Sequence, residues 1–234
     1  MNIREIYNKL FPPYGMKILS KAFWRKFSKV ADGNCVKKCK FLDIGAGNHS
    51  AQKFRKIFGP SWSYTALDIN KADYNYDERD LNEINNFITG NIEDTNLLEL
   101  FPNEKFDIIH FAHVIEHVNN GYDILSNIRR IQYDGSFLYI ETPSFQSLSL
   151  PSRPLTLNFY DDPTHKVVYP LDQIIKTIEE TGYIILKSGY RKDIRRILAF
   201  PFIALFFVLR GKRVPGPVVW EINNFSIFVL AYAV

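Results

Sequence analysis

Apolar positions along the chain follow two rhythms. From residue 40 onward, short runs rich in β-branched and aromatic residues predict strands at KFLDI (40–44), SYTALDI (63–69), NFIT (86–89), FDIIHF (106–111), SFLYIET (136–142), YIILKSG (183–189) and FSIFVLAYAV (225–234). Between them, apolar residues recur at helical spacing in SAQKFRKIF, TNLLELF, NGYDILSNIRRI and PLDQIIKTIEETG, the last closing on Gly182. Strands alternating with helices predict an α/β fold, a mostly parallel sheet with helices on both faces. No internal repeat interrupts the pattern, so one domain over 1–234 is expected.

In such a sheet, ligands sit beyond the carboxyl ends of the strands, and the residues leaving each strand carry the information. FLDIGAGNHS follows the first strand, where Gly45 and Gly47 allow a tight turn and a close backbone approach ahead of a helix N-terminus. Asp68 in ALDIN ends the second strand and is placed to bind two ribose hydroxyls. GNIED follows the third and FAHVIEHV the fourth. In FAHVIEHV, His113, Glu116 and His117 recur at offsets of three and four, which on a helix would turn all three toward one spot. A dinucleotide fingerprint G-x-G-x-x-G would need glycine where Ser50 stands, which argues against an NAD-dependent oxidoreductase.

The ordered set of Asp43-x-Gly45-x-Gly47, Asp68, GNIED, FDIIHFAHVIEHV and GSFLYIETPS resembles the class I S-adenosylmethionine-dependent methyltransferases over residues 40–190. The resemblance implies a Rossmann-like seven-stranded sheet whose last strand, FSIFVLAYAV, is antiparallel, and S-adenosylmethionine as cofactor. It implies that Asp43, Gly45, Ala46 and Gly47 cradle the methionine portion and Asp68 holds the ribose. Ile69, Asn91 and Ile92 would flank the adenine, and Ala112 would lie against the cofactor. His49 stands where many members carry a third glycine.

Methyl transfer requires an aligned nucleophile and, for an alcohol, removal of its proton, work suited to histidine near neutral pH. His113, His117 and Glu116 are the candidates after the fourth strand. His165, in DDPTHKVVYP, is expected to close over the acceptor from the opposite side. FAHVIEHV also resembles the narrower ubiquinone-biosynthesis O-methyltransferases, whose E-x-x-E-H holds a divalent cation. Here His113 replaces the first acid, so the trio His113, Glu116 and His117 would suit a softer ion or none, and a purely orienting role for Glu116–His117 stays open. The proline-punctuated stretch before His165 reads as an acceptor loop, with Arg153, Tyr160 and Asp161 as candidate contacts.

Composition and charge refine the partner. The 234 residues are 46% hydrophobic, enough for a sizeable core, and the two cysteines, Cys35 and Cys39, match neither a CxxC nor a zinc-knuckle spacing, which suits a reduced, cytoplasmic protein. Ten Lys or Arg against Glu5 and Asp32 concentrate the basic excess in the first 40 residues, within an N-terminal helical segment over 1–39. Nothing resembles a nucleic-acid motif, and no nucleic acid is expected as a partner. A second basic and apolar stretch, 191–217, surrounds the run Ile197–Leu209, too short to span a bilayer and interrupted by Pro201. It reads as an interfacial segment at the inner face of a membrane, as a buried helix, or as a subunit contact. The expected acceptor is a small molecule, a glycan or a lipid-linked compound methylated on oxygen. The rival reading is a non-catalytic protein that keeps the fold for membrane or partner binding.

Overall fold

The computed structural model describes residues 13–27, 39–69, 77–152, 157–212, 214 and 219–234. Cys35, Arg153 and the first twelve residues of the basic segment lie outside them. A first helix, α1 (Tyr14–Phe27), precedes β1 (Lys40–Ile44), α2 (Ser50–Phe58), β2 (Ser63–Asp68), the single turn α3 (Glu78–Leu81), β3 (Asn86–Thr89) and α4 (Leu97–Leu100). Then come β4 (Phe106–Ala112), α5 (Gly121–Ile128), β5 (Gln132–Pro143), α6 (Leu171–Glu180), β6 (Tyr183–Tyr190), α7 (Ile194–Leu209) and β7 (Ser226–Ala233).

All seven expected strands form one sheet in the order β3-β2-β1-β4-β5-β7-β6. β1 to β5 are parallel, and β7 runs antiparallel to both neighbours. β5 starts four residues earlier than the alternation in SFLYIET suggests, because Gln132 pairs with Phe106 across a register shift. That pairing lies outside any period-two pattern.

Strand alternation sends successive side chains to opposite faces. Leu42, Ile44, Ile109 and Phe111 meet Ile124, Ile128, Ile174 and Ile178 of α5 and α6 on one side. On the other, Phe41, Tyr64 and Tyr139 meet Phe54 and Phe58 of α2 and Leu19 and Phe23 of α1. Each such buried side chain contributes roughly 1.5–3 kcal/mol. α1 lies so close to the sheet that a β-carbon at Gly15 would fall 2.3 Å from the Tyr139 ring.

FWRKF does not face outward as a unit: Phe23 is core, against Trp62 and Phe137, and Lys26 donates to Gly135 O and Tyr232 Oη. α7 differs from every other helix. Of its side chains Arg196 is the buried one, while Leu198, Phe202, Leu205 and Leu209 form an exposed stripe at helical spacing. It is not a core helix, and among the described residues no helix is long and apolar enough to cross a membrane.

Candidate active site

The turn after β1 is built from backbone. Gly45 N–H and Ala46 N–H donate to Leu67 O, and Gly47 N–H donates to Asp68 Oδ2 at 2.8 Å. Gly45 (φ 68°), Gly47 (φ 57°) and His49 (φ 70°) are all left-handed, so His49 keeps the conformation that glycine would adopt at that position. A β-carbon on Gly45 would sit 2.1 Å from Val114 Cγ2, whereas one on Gly47 would meet open space. Gly45 therefore lets the loops after β1 and β4 touch, and Gly47 leaves room for a ligand.

Asp68 Oδ1 accepts from Ile69 N–H at 2.8 Å and Oδ2 from Gly47 N–H at 2.8 Å. Ile69 is 58% exposed beside it. Asp43 lies beneath the loop, its oxygens taken by Tyr64 Oη at 2.6 Å and His110 Nδ1 at 2.8 Å. Asn91 closes its own turn, donating to Asp94 Oδ2 and accepting from Glu93 N–H, while Ile92 is buried against the core and Ala112 ends β4 half-buried. The carboxyl ends of β3, β2, β1 and β4 are neighbours in the sheet, so these residues share one rim.

FAHVIEHV does not make a regular helix. β4 ends at Ala112, His113 is left-handed (φ 57°), and Ile115–His117 is a single 3-10 turn. The trio consequently separates. His113 Nδ1 faces Glu116 Oε1 at 3.2 Å and Nε2 faces Glu141 Oε1 at 3.0 Å. Burial alone would lower this imidazole, but the bonds to Glu116 and Glu141 outweigh it and raise its pKa to about 9. With both nitrogens donating to carboxylates, His113 has no lone pair for a proton or a metal. Burial likewise pushes Glu141 up, and Arg191, with hydrogen bonds from His113 and Tyr139, holds it below the usual carboxylate range. Arg191 bridges Glu141 at 2.8 Å and Glu221 at 3.0 Å, and Arg196 reaches Glu221 at 3.5 Å.

Glu116 is fully buried and shares its carboxylate between His113 and Thr142 Oγ1. Its carbonyl accepts from Lys166 N–H and Val167 N–H, which fastens the chain after His165 to the turn after β4. His117 Nδ1 lies 2.9 Å from Thr164 Oγ1, with the His165 ring 4.8 Å away. His165 thus joins Glu116 and His117 on the same side, where the sequence alone suggested opposite sides. Donor atoms of Glu116, His117 and His165 lie within 4.8 Å of one another. Donors sharing one transition-metal ion at about 2.0–2.2 Å stand roughly 3–4 Å apart, so this group would have to contract to hold one. Asp161 caps the turn at Asn158, accepting from Leu157 N–H and Asn158 N–H, and its carboxylate supports the loop.

Sequence reasoning missed Glu141, Thr142, Arg191 and Glu221. Glu141 alone left a trace, as a charge inside the apolar run FLYIET.

A methyltransferase-domain family matches residues 8–188. The ubiquinone/menaquinone biosynthesis C-methyltransferase UbiE of Ectopseudomonas mendocina (strain ymp) is 28% identical over 152 residues, 63% of this chain and 54% of that protein. The chain thus spans about half the length of that relative. Among solved structures, a SAM-dependent methyltransferase from Archaeoglobus fulgidus has a TM-score of 0.55 at 19% identity, covering 99% of this chain and 100% of that one. The plantazolicin methyltransferase BpumL, solved with SAH, has a TM-score of 0.57 at 18% identity, covering 99% and 89%. At such identities the structures show a common fold. The match over residues 8–188, on a sheet of this order opened by this glycine turn, makes the chain a member of the methyltransferase-domain family with the class I, Rossmann-like fold.

Proposed function

We propose that the chain transfers the methyl group of S-adenosylmethionine to a hydroxyl-bearing acceptor: a small molecule, a glycan or a lipid-linked compound. The observation that carries this reading is the open space beside Gly47, whose N–H donates to the Asp68 carboxylate at the end of β2. Gly45, Ala46 and Gly47 would hold the methionine portion from above Asp43, and Asp68 the ribose hydroxyls. Ile69, Asn91 and Ile92 would border the adenine, with Ala112 beneath the cofactor. Bound there, S-adenosylmethionine supplies a sulfonium methyl group whose leaving group is a neutral thioether. His117 is the proton acceptor, His165 and Glu116 shape its surroundings, and the loop fastened to Glu116 O covers the acceptor side.

Carbon methylation is the second reading, favoured by the printed activity of the UbiE relative. With a phenol as acceptor both readings use one base, because removing the O–H proton leaves an anion nucleophilic at oxygen and at ring carbon.

The exposed stripe on α7, with Lys192, Arg195, Arg210 and Lys212 exposed at its ends and no acidic residue within it, suits peripheral contact with an anionic membrane face. Flotation with vesicles containing phosphatidylserine should fail for the Phe202→Ser, Leu209→Ser double variant.

Calorimetric titration with S-adenosylmethionine and S-adenosylhomocysteine tests the main reading. Binding in the micromolar range is expected, weakened about 10- to 100-fold by Asp68→Ala, the scale of losing hydrogen bonds to a charged group, with NADH inert. A folded protein that binds neither compound would leave only a non-catalytic role for the fold.

A further inference from the structure

The two histidines on the acceptor side are oriented by different partners, and the hydrogen-bond network assigns their tautomers. Thr164 Oγ1 lies 2.5 Å from Asp162 Oδ1, a carboxylate oxygen that accepts and cannot donate, so the single hydroxyl proton of Thr164 is committed there. Thr164 N–H reaches the same oxygen at 2.9 Å and fixes the turn. Toward His117 Nδ1, 2.9 Å away, Thr164 Oγ1 can therefore only accept, which places the proton of the neutral imidazole on Nδ1 and leaves Nε2 bare. His165 Nδ1–H donates to Phe159 O at 2.6 Å, but its side chain is 7% exposed and its Nε2 faces Asp162 Oδ2 at 3.9 Å. The His117–Thr164 hydrogen bond is solvent-exposed, whereas that of His165 is part-buried.

We propose that Thr164 and Asp162 are positioning residues which hold His117 as the Nδ1–H tautomer, with Nε2 presented to the acceptor as the proton-accepting atom. This rests on the methyl-transfer reading above. In the step, the acceptor O–H bond breaks and its proton passes to His117 Nε2. The nucleophile bonds to the methyl carbon as the carbon–sulfur bond breaks, and that electron pair stays on sulfur. The His117 imidazolium then returns its proton to solvent. While it is charged, its Nδ1–H points down a chain, Thr164 then Asp162, that ends in a carboxylate. Burial raises Asp162, and the two hydrogen bonds from Thr164 with the nearby His165 and His117 outweigh it, so the carboxyl is held low and ionised. Glu116 on its own turn and His165 also bring donor atoms within 4.8 Å of His117.

The arrangement parallels the orienting of a catalytic imidazole by a buried acid, with a hydroxyl inserted between the two. It was invisible in the sequence because DDPTHK reads as an ordinary polar turn. His117 lies 47 residues from the threonine that sets its proton.

The test needs no knowledge of the acceptor. Ring nitrogen shifts are recorded by NMR on the full chain labelled with ¹⁵N-histidine, at a pH where the imidazoles are neutral, with His117→Gln identifying the resonance. The expected result is an Nδ1–H tautomer for His117 in the wild type, preserved in Thr164→Ser and reduced several-fold in Thr164→Val. Asp162→Ala provides a second route should Thr164→Val not fold: it frees the threonine hydroxyl to donate to Nδ1 and raises the Nε2–H form. A wild-type His117 protonated on Nε2, or a tautomer unchanged in both Thr164→Val and Asp162→Ala, overturns the proposal. Titration of wild type and Thr164→Val with S-adenosylmethionine separates the two layers. Equal binding is expected, and failure of the wild type to bind would remove the methyl-transfer reading while leaving the tautomer result to stand on its own.

Discussion

The two halves of the rim, which we propose serve the cofactor and the acceptor, are made in different ways. Around Gly45, Gly47 and Asp68 the shape comes from backbone, with N–H groups donating to a carbonyl and a carboxylate and left-handed residues setting the turn. Around His113, Glu116 and His117 the shape comes from side chains drawn from across the chain. Glu141 leaves β5, Arg191 follows β6, and Glu221 precedes β7. Backbone geometry is local and tolerates change in neighbours. A side-chain network is only as sound as its most replaceable member.

The sharpest way to break the acceptor half is Arg191→Met, which leaves Glu141 buried without a guanidinium and Glu221 with only the more distant Arg196. A loss of about 3–5 kcal/mol is expected in urea unfolding, the scale of removing one partner from a buried pair. The matching change in the cofactor half is Gly45→Ala. A left-handed alanine costs about 1–2 kcal/mol and the clash with Val114 about 1–3, so stability should fall by roughly 2–5 kcal/mol. Gly47→Ala shares only the strain, and should spare the fold more than it spares cofactor binding.

Acidity separates the halves next. His113 is held at about 9 in the fold against an ordinary value near 6.5, so its contribution is complete below about pH 6.5 and is lost as pH rises through 9. Glu141, held low, contributes above its ordinary range and loses this only as pH falls. The urea midpoint of the wild type should therefore drop between pH 6.5 and 9.5, and that slope should flatten in His113→Gln. The smallest effect is in the opposite direction. His49→Gly relieves about 1–2 kcal/mol of left-handed strain and costs about 0.5–1 kcal/mol of backbone entropy, for a net gain of roughly 0–1.5 kcal/mol.

This contrast also explains what could be read in advance. The strands and the main helices follow from period-two and helical spacing, because each buries one face. The glycine turn and Asp68 are adjacent to strands, so their position in the sheet follows from the strand that precedes them. FAHVIEHV misled because a spacing of three and four implies a common face only on a helix, and a left-handed His113 interrupts that geometry before Glu116 is reached. His165 was noticed, yet which side it would close from depended on Lys166 and Val167 fastening to Glu116 O. No spacing rule reports a contact of that kind. Nor did any pattern announce that Glu141 would meet Arg191, since charge pairing across β5 and β6 is a property of the folded sheet.

The insertion of β7 between β5 and β6 has a consequence for how the molecule is born. Synthesis delivers β5 and β6 before the strand that joins them, and β6 pairs with β7 alone. For the roughly 40 residues from the end of β6 through β7, a few seconds at about 5–20 residues per second, the nascent chain carries an open edge on β5 and an unpaired β6. The apolar helix α7 emerges during that same interval. The ribosome-bound intermediate is thus at its most adhesive just before β7 emerges, and chaperones would find their longest foothold there.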